Sequence, residues 1–347
     1  MDKQLAEAVV TTTEVSDHPA VRAWRRLYGR PQRVERVKRR SGKRKKSYVY
    51  RLTGEGLPNG SVIGKLSRPP DAEVERAVYE DVLDRIALRA IEYYGSCEDG
   101  ETGHIWLFIE DAQGSKFAPL DQGHRVLAGR WLRTLHRLTA GLHQPAVLPH
   151  RSADYYLELL GSVKGAIETN LASPHLTDEY RAVLHRFLRQ LDHLLAHWDR
   201  IVAVCNQFSP TLVHCDLGAK NARVREADGD RFFLPFDWES AGWGVPAADL
   251  AQLSARTSGS SVSPDLEAYR NCAGGSSSNR GAVLELATVG VIFRVLHMLD
   301  WLSWTLPTGK IGKAVGAIRG YNLELTQAVR QLELPARSLG ATVRRVS

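Results

Sequence analysis

A short segment typical of β-structure interrupts the second, mostly helical part of the chain. Residues 211–239 read TLVHCDLGAKNARVREADGDRFFLPFDWE, two apolar runs that are joined by an Asp-Gly turn. Within this segment stand four polar residues that can carry chemistry: His214, Asp216, Asn221 and Asp237. The chain around it shows helical periodicity, over residues 128–142, 155–170, 177–204 and 282–304.

The first 110 residues are rich in β-structure. Three short runs, VERVKRR, SYVYRLTG and SVIGKLS, are followed by a helical pattern over residues 71–87 and by two more strand-like runs, AIEYYGS and HIWLFIEDA. Residues 1–32 form an extension with helical patches. We therefore predict an α+β protein with a helical extension at 1–32, a β-rich N-lobe at 33–111 and a mostly helical C-lobe at 112–347.

The polar residues of the 211–239 segment have the spacing that phosphoryl transfer from a nucleotide requires. That reaction needs a carboxylate near the acceptor hydroxyl, oxygen ligands for Mg²⁺, and a cation on the phosphates that are not transferred. Asp216, followed five residues later by Asn221, supplies the carboxylate and a first metal ligand on one loop. Asp237 supplies a second ligand, which completes the catalytic pattern of kinases. The alternative is a polar hairpin with Asp and Asn in its turns.

Two motifs connect this region to a known family. VHCDLGAKN resembles the loop H-G-D-x-x-x-x-N, and FDWESAGWGVPAADLA resembles the segment I-D-W-E-x-A-x-x-G-x-P-x-x-D-L-A. Both motifs are those of the aminoglycoside phosphotransferase-like (APH) small-molecule kinases. The resemblance is specific over residues 211–253 and extends over 33–253. It implies a two-lobed, protein-kinase-like fold with a small β-rich N-lobe and a larger, mostly helical C-lobe.

The resemblance also implies roles for the four polar residues. Asp216 would be the catalytic base, and Asn221 and Asp237 would be the Mg²⁺ ligands. His214 would organise the catalytic loop rather than react.

Two neighbouring positions are interpreted in the same way. Cys215 stands where the family commonly has glycine, at a point where the backbone runs close to its surroundings. Asp249 opens a predicted helix after Pro246 and suits an N-cap. By the resemblance, Asp249 would anchor the catalytic loop.

The N-lobe should supply the lysine that grips the phosphates. Lys65, in the third strand-like run, stands where the kinase pattern puts this residue. Glu73, Glu75 and Glu80 of the following helix compete as its partner. Glu75 lies four residues before Tyr79, which resembles the family's E-x-x-x-Y register, and we predict Glu75.

The run LFIEDAQG at 107–114 resembles the family's interlobe hinge. Backbone groups near Glu110 and Ala112 are therefore expected to meet the purine of ATP or GTP.

The net charge of +7 is concentrated at one end of the chain. Residues 1–50 carry 14 Lys/Arg against 5 Asp/Glu, and seven of these cations stand in VKRRSGKRKK at 37–46. In a kinase-like lobe the first hairpin turn covers the nucleotide phosphates, so Lys43 and Arg44 could help to neutralise them. A solvated hairpin tip is an equal alternative, and a basic cluster can also bind nucleic acid, which gives a rival function.

Several observations bear on location. The apolar stretch 283–306 is interrupted by charged residues, so we expect no transmembrane protein, and the N-terminus has no secretory signal pattern. None of the four cysteines forms a CxxC pair. A reduced, cytoplasmic protein is expected.

The acceptor is expected to be a small molecule with a hydroxyl group, such as an antibiotic, a sugar or a related metabolite. Too few residues separate Asp237 from Asp249 for the activation segment with which a protein kinase binds polypeptide. A polycationic aminoglycoside favours an acidic C-lobe, but residues 150–347 carry 20 Asp/Glu against 21 Lys/Arg. Trp301 and Trp304 share a helix face and could stack on a sugar or base. A catalytically inactive kinase-like scaffold is a further alternative.

Overall fold

The computed structural model describes residues 15–28, 30–37, 47–253, 261–271, 280–303 and 311–338. These residues divide into two compact units. The first unit holds the described residues up to 115, together with 145–148 and 223–240. The second unit holds the other described residues.

The described elements are numbered in chain order. The strands are β1 (Arg33–Arg36), β2 (Ser47–Thr53), β3 (Ser61–Ser67), β4 (Tyr93–Glu98), β5 (Ile105–Glu110), β6 (Ser115–Lys116), β7 (His150–Arg151), β8 (Thr211–Val213), β9 (Ala222–Ala227), β10 (Asp230–Pro235) and β11 (Gly242–Gly244). The α-helices are α1 (Pro19–Arg25), α2 (Pro69–Ala77), α3 (Gln122–Thr139), α4 (Ala153–Asn170), α5 (Asp178–Ala196), α6 (Trp198–Cys205), α7 (Leu266–Asn271), α8 (Arg280–Ser303) and α9 (Ile311–Ser338).

The first unit is built on a five-stranded antiparallel sheet. Its strands lie in the order β1-β2-β3-β5-β4. Strand β5 is buried along its whole length, as the apolar run Ile105–Ile109 before its last residue indicates. The five strands coincide with the five strand-like runs of the sequence, so the β-rich character predicted for this part of the chain is confirmed.

Helix α1 packs into the core of the first unit. Trp24 is fully buried, and its ring lies 5.2 Å from that of Phe108 on β5. Residues 1–32 are predicted from the sequence to form an extension. In the structure their helical part belongs to the unit, because the apolar side chains of Val21 and Trp24 cover the sheet.

The hairpin after the catalytic motif also groups with the first unit, although it was expected to belong to the C-lobe. Strands β9 and β10 form a three-stranded sheet with β6, in the order β10-β9-β6. Asp228 and Gly229 turn the chain between them with φ of 55° and 82°, the left-handed geometry that a two-residue hairpin favours. Contacts of residues 238–240 with α2 add to the grouping.

The second unit is mostly helical, as predicted. Helix α8 lies at its centre, and its residues 282–303 belong to the predicted helix 282–304. The predicted helix 177–204 is two helices, α5 and α6, because His197 between them leaves helical geometry with ψ of 14°. Helix α9 has no counterpart among the helices predicted from the sequence.

Helix α8 is the one described helix whose length and apolar composition are sufficient to cross a membrane. Over residues 280–302, 72% of its most apolar window is buried inside the protein. At Gly290 the helix packs tightly against the backbone of Ala247. A Cβ at this position would stand 1.9 Å from the carbonyl oxygen of Ala247. The helix is therefore a packed core element of the second unit.

Candidate active site

Lys65 lies at the centre of an acidic cluster in the first unit. Its ammonium donates to Glu75 Oε2 at 2.6 Å, lies 3.0 Å from Glu239 Oε2 and contacts the carboxylate of Asp237. Lys65 and Glu75 are only 4% and 1% exposed. Three acidic side chains therefore surround one ammonium group in this cluster.

The carboxylates keep Lys65 charged although it is buried. Burial by itself lowers the pKa of this ammonium, but Glu75, and after it Asp237 and Glu239, raise the pKa well above its ordinary value. Lys65 therefore presents a full positive charge at neutral pH.

Helix α2 brings Glu75, rather than the other two candidates, to Lys65. The helix begins at Pro69, a residue that suits a first turn, and it buries Ala72 and Glu75, three residues apart, on one face. Glu73 is half-buried and Glu80 is exposed. The geometry thus supports the predicted pair, whose role in holding phosphates remains a prediction.

Asp237 stands in a strained backbone conformation two residues after the end of β10. Its φ is 72°, in the left-handed region that non-glycine residues rarely adopt. Such a conformation costs on the order of 1–3 kcal/mol and is often found at functional sites. The strain and the contact with Lys65 together favour a functional role for this carboxylate.

The end of β5, where the purine contact is predicted, is held by ion pairs. Glu110 is buried, and its carboxylate pairs with Arg225. Its backbone N–H donates to the carbonyl of Glu92 at 2.8 Å, so a purine cannot use this N–H while the strands are paired. Contact of the purine with other backbone groups near Glu110 and Ala112 stays a prediction, and both residues are buried.

In the second unit, Asp249 holds the start of the catalytic loop, residues 214–221. Its two carboxylate oxygens accept the backbone N–H groups of His214 and Cys215, at 2.7 and 2.9 Å. Asp249 lies on the turn Pro246–Leu250, and His136 Nε2 lies 3.5 Å from its Oδ2. His214 is fully buried. The arrangement supports an organising role for His214 and an anchoring role for Asp249.

The charge of Asp249 is favoured by these partners. Burial tends to raise the pKa of this carboxyl, but His136 and His214 together lower the pKa below its ordinary value. The carboxylate is thus a fixed, ionised acceptor for the loop.

Asp216 follows with its carboxylate bound on both oxygens. Its Oδ2 accepts from Lys220 Nζ and from Asn221 Nδ2, each at 3.1 Å, and its Oδ1 lies 3.3 Å from Arg294 Nη2. The side chain is 32% exposed. Burial raises the pKa of Asp216, but Arg294, and after it Lys220 and His214, lower it below the ordinary value. The carboxylate is ionised and accessible, as a catalytic base requires.

Cys215 adopts the conformation for which the family's glycine is suited. Its φ is 62°, and glycine takes this left-handed geometry without steric cost. The thiol is buried, its Sγ lies 3.9 Å from the hydroxyl of Tyr156, and burial raises its pKa to about 11. Cys215 is therefore a packing residue and not a nucleophile at neutral pH.

Asn221 offers an oxygen that suits a metal ion. It is 1% exposed, and its Nδ2 donates to the backbone carbonyl and the carboxylate of Asp216. Among the described residues its Oδ1 has no hydrogen-bond partner. A buried amide oxygen without a partner is costly, and a hard cation such as Mg²⁺ would satisfy it. The amide oxygen of Asn221 and the carboxylate oxygens of Asp237 are thus oxygen ligands of the kind that Mg²⁺ prefers.

Glu239 and Arg294 are members of these clusters to which the sequence assigned no role. Glu239 lies in the D-W-E motif itself, two residues after Asp237, which was the available signal. Arg294 is one of the charged residues that interrupt the apolar stretch 283–306. A lone arginine within an apolar helix indicates a buried partner, because burying an unpaired charge is costly.

Some predicted positions lie outside the described residues: Lys43, Arg44 and the rest of the basic turn 38–46, and also Trp304. Trp301 is described, and it is 61% exposed.

The sequence matches the model of the APH phosphotransferase enzyme family over residues 37–283. The chain belongs to this family. The family resemblance inferred from VHCDLGAKN and FDWESAGWGVPAADLA is confirmed, and so is the predicted enzyme class, a small-molecule kinase. No curated protein matches the sequence.

Solved structures of other kinases share the fold of this APH-family chain. A choline kinase from Cryptosporidium parvum Iowa II is 9% identical, with 88% of this chain and 90% of that chain covered and a TM-score of 0.55. Spectinomycin phosphotransferase APH(9)-Ia, in complex with ADP and spectinomycin, is 12% identical, with 87% and 94% covered and a TM-score of 0.54. The GDP and kanamycin complex of APH(2")-IIIa is 13% identical, with 89% and 94% covered and a TM-score of 0.52. This likeness confirms the predicted kinase-like fold class.

Proposed function

We propose that this APH-family enzyme transfers the γ-phosphoryl group of ATP or GTP to a hydroxyl of a small molecule, such as an antibiotic, a sugar or a related metabolite. The observation that carries the proposal is the pair Asp216–Asn221. One loop holds an ionised, partly exposed carboxylate beside a buried amide whose Oδ1 has no hydrogen-bond partner among the described residues. A base and a metal ligand are the two groups that phosphoryl transfer requires at this position.

Asp216 acts as the base in this proposal. Its Oδ2 orients the acceptor hydroxyl and takes up its proton as the oxygen attacks the γ-phosphorus, while the bond to the β-phosphate oxygen breaks. Lys220 is 54% exposed at its side chain, so it can leave Oδ2 when the acceptor arrives. His214 does not react. It keeps the loop in place through the hydrogen bond that its backbone N–H donates to the carboxylate of Asp249.

Asn221 and Asp237 are the proposed metal ligands. When bound, Mg²⁺ neutralises negative charge on the phosphates and orients them for transfer. Asn221 contributes its buried amide oxygen and Asp237 a carboxylate, which is held against Lys65.

Lys65 binds the phosphates that stay with the nucleotide. Its ammonium is held by Glu75 and is kept charged by the carboxylates around it. The ion pair with Glu75 fixes the position of the Lys65 ammonium before the nucleotide binds. This reduces the entropy that is lost on binding.

The experiment combines binding and turnover. Thermal shifts with ATP and with GTP, each with and without Mg²⁺, test the nucleotide. Release of ADP or GDP is then measured with kanamycin, spectinomycin and choline, the molecules named with the structural neighbours, and with a panel of sugars. Asp216→Ala and Lys65→Met are compared with Asp192→Ala, which changes a surface carboxylate that pairs with Lys164.

Mg²⁺-dependent stabilisation together with acceptor-dependent release supports the proposal. Stabilisation by a nucleotide, but no release of ADP or GDP with any of the acceptors, would favour the inactive scaffold instead. Absence of any stabilisation by either nucleotide contradicts both.

A further inference from the structure

We infer that Arg294 is a positioning residue for phosphoryl transfer, which fixes the backbone and the carboxylate at Cys215–Asp216 from the buried side of the catalytic loop. This inference rests on the proposed function, because it takes Asp216 as the base.

Arg294 is buried in the apolar helix α8, where it is 5% exposed between the buried residues Phe293 and Val295. A guanidinium in such surroundings is stable only if its N–H groups have acceptors. Its Nη1 donates to the carbonyl oxygen of Cys215, and its Nη2 lies 3.3 Å from Asp216 Oδ1. The two acceptor oxygens belong to consecutive residues. One planar guanidinium therefore binds both the carbonyl of Cys215 and the carboxylate of Asp216.

The backbone groups around Cys215 are held by hydrogen bonds to side chains from other elements. The left-handed φ of Cys215 turns the peptide groups on either side of it in different directions. The N–H groups of His214 and Cys215 donate to Asp249. Arg294 supplies the donor for the carbonyl. The loop is thus held at its N–H groups by a carboxylate and at its carbonyl by a guanidinium.

The contact also determines which oxygen of Asp216 serves the acceptor. Oδ1 faces the buried Arg294, while Oδ2 faces Asn221 and the exposed Lys220. With Oδ1 held, the carboxylate cannot rotate freely, and Oδ2 stays beside Asn221. Small errors in the placement of a catalytic group lower turnover strongly, so fixing this rotation favours catalysis.

The packing of α8 explains how Arg294 reaches the loop. Gly290 lets the helix approach the carbonyl of Ala247, on the turn that also carries Asp249. Arg294 lies four residues later, on the same helix face. The close approach at Gly290 therefore brings the guanidinium to Cys215 and Asp216.

The test compares Arg294→Met and Arg294→Lys with a matched control, Arg200→Met. Arg200 also pairs with α8, through Glu285 at 2.6 Å, but it contacts no residue of the catalytic loop in the described pairs. Two readouts are used on the full chain: kcat and KM for hydrolysis of ATP and GTP with Mg²⁺, water being the acceptor, and amide hydrogen exchange of peptides over residues 213–219. Asp216→Ala and the double variant with Arg294→Met complete the set.

We expect Arg294→Met to lower kcat at least tenfold, while the nucleotide KM stays within about threefold of the wild-type value. Arg294→Lys, which keeps the charge but not the planar pair of donors, should recover part of the loss. Loop exchange should become faster in Arg294→Met and not in Arg200→Met. In the Asp216→Ala background, Arg294→Met should lower kcat no further, because the group it positions is already absent.

Unchanged kcat, or equal losses in Arg294→Met and Arg200→Met, would overturn the inference, as would unchanged loop exchange. Should Arg294→Met fail to fold, Arg294→Lys decides by the same two readouts. If Asp216→Ala keeps the wild-type rate, the base role in the proposed function has failed. If the wild-type protein hydrolyses neither nucleotide, the comparison of hydrogen exchange alone decides whether Arg294 holds the loop.

Discussion

Asn221 donates its side-chain amide to the carboxylate of Asp216 at 3.1 Å. The bond joins the proposed base to a proposed metal ligand within one loop. Since the same amide group presents its Oδ1 away from this bond, a single side chain can orient the base and bind a cation at once. A change at either residue should therefore affect turnover more than it affects folding.

Removing the base should separate binding from chemistry. We expect Asp216→Ala to leave nucleotide affinity largely intact and to lower kcat by a factor on the order of 10² or more. The affinity is measured by thermal shift with Mg²⁺, and kcat by ADP or GDP release. A folded variant with near-normal turnover would remove Asp216 from the base role.

Neutralising Asp237 should act on the metal. Asp237→Asn is expected to weaken nucleotide binding only when Mg²⁺ is present, because a hard cation prefers a charged oxygen. Titrations of ATP and GTP with and without Mg²⁺ measure this effect, and Asp230→Asn, an exposed change on the same hairpin, is the control. Equal affinities for variant and wild type in Mg²⁺ would contradict the metal assignment.

Asp249 should matter for stability in a pH-dependent way. We expect Asp249→Asn to lower the free energy of unfolding by about 3 kcal/mol, since a buried carboxylate that accepts two backbone N–H groups is lost. The pKa of Asp249 is lower in the folded than in the unfolded chain. Its contribution is therefore fully present above the unfolded value of about 3.9 and is lost as the pH falls towards the folded value.

Urea unfolding at several pH values checks this expectation. The difference between wild type and Asp249→Asn should be constant near neutral pH and should shrink below about pH 4. A difference that grows on acidification would show that another group is responsible.

Cys215 should tolerate glycine better than a branched residue. Cys215→Gly relieves the left-handed strain, about 1 kcal/mol, but loses the contact of the thiol with Tyr156. We expect the two effects nearly to cancel, with activity retained. Cys215→Val should lower Tm clearly, because a β-branched side chain does not fit a positive φ. Equal Tm values for the two variants would contradict the strain argument.

The basic turn distinguishes the kinase from a nucleic-acid-binding protein. If it serves the nucleotide, replacing Lys43, Arg44, Lys45 and Lys46 with Ala should raise the nucleotide KM, and the effect should shrink at high salt. Binding of wild type to duplex DNA should be weak and independent of length. Tight DNA binding that the quadruple variant loses, with an unchanged nucleotide KM, would assign the turn to the rival function.

The local part of the active site could be predicted from the sequence. His214, Asp216 and Asn221 stand in one loop, and Asp237 follows at the end of the next hairpin, so their spacing along the chain carries the information. The strands of the first unit could be predicted for a similar reason, since their apolar and β-branched runs are short and are separated by clear turns. The family resemblance added Asp249 and the choice of Glu75, and the structure gives each a partner.

Tertiary structure alone decided which distant side chains complete these clusters. Arg294 follows Asp216 by 78 residues, and only the packing of α8 against the Pro246–Leu250 turn brings the two together. Likewise, burial of one face of α2 makes Glu75 the partner of Lys65, while Glu80 on the same segment is exposed. Spacing along a chain specifies contacts within a loop or a hairpin. Contacts between elements depend on which faces are buried together, and the free energy of packing the whole unit determines that.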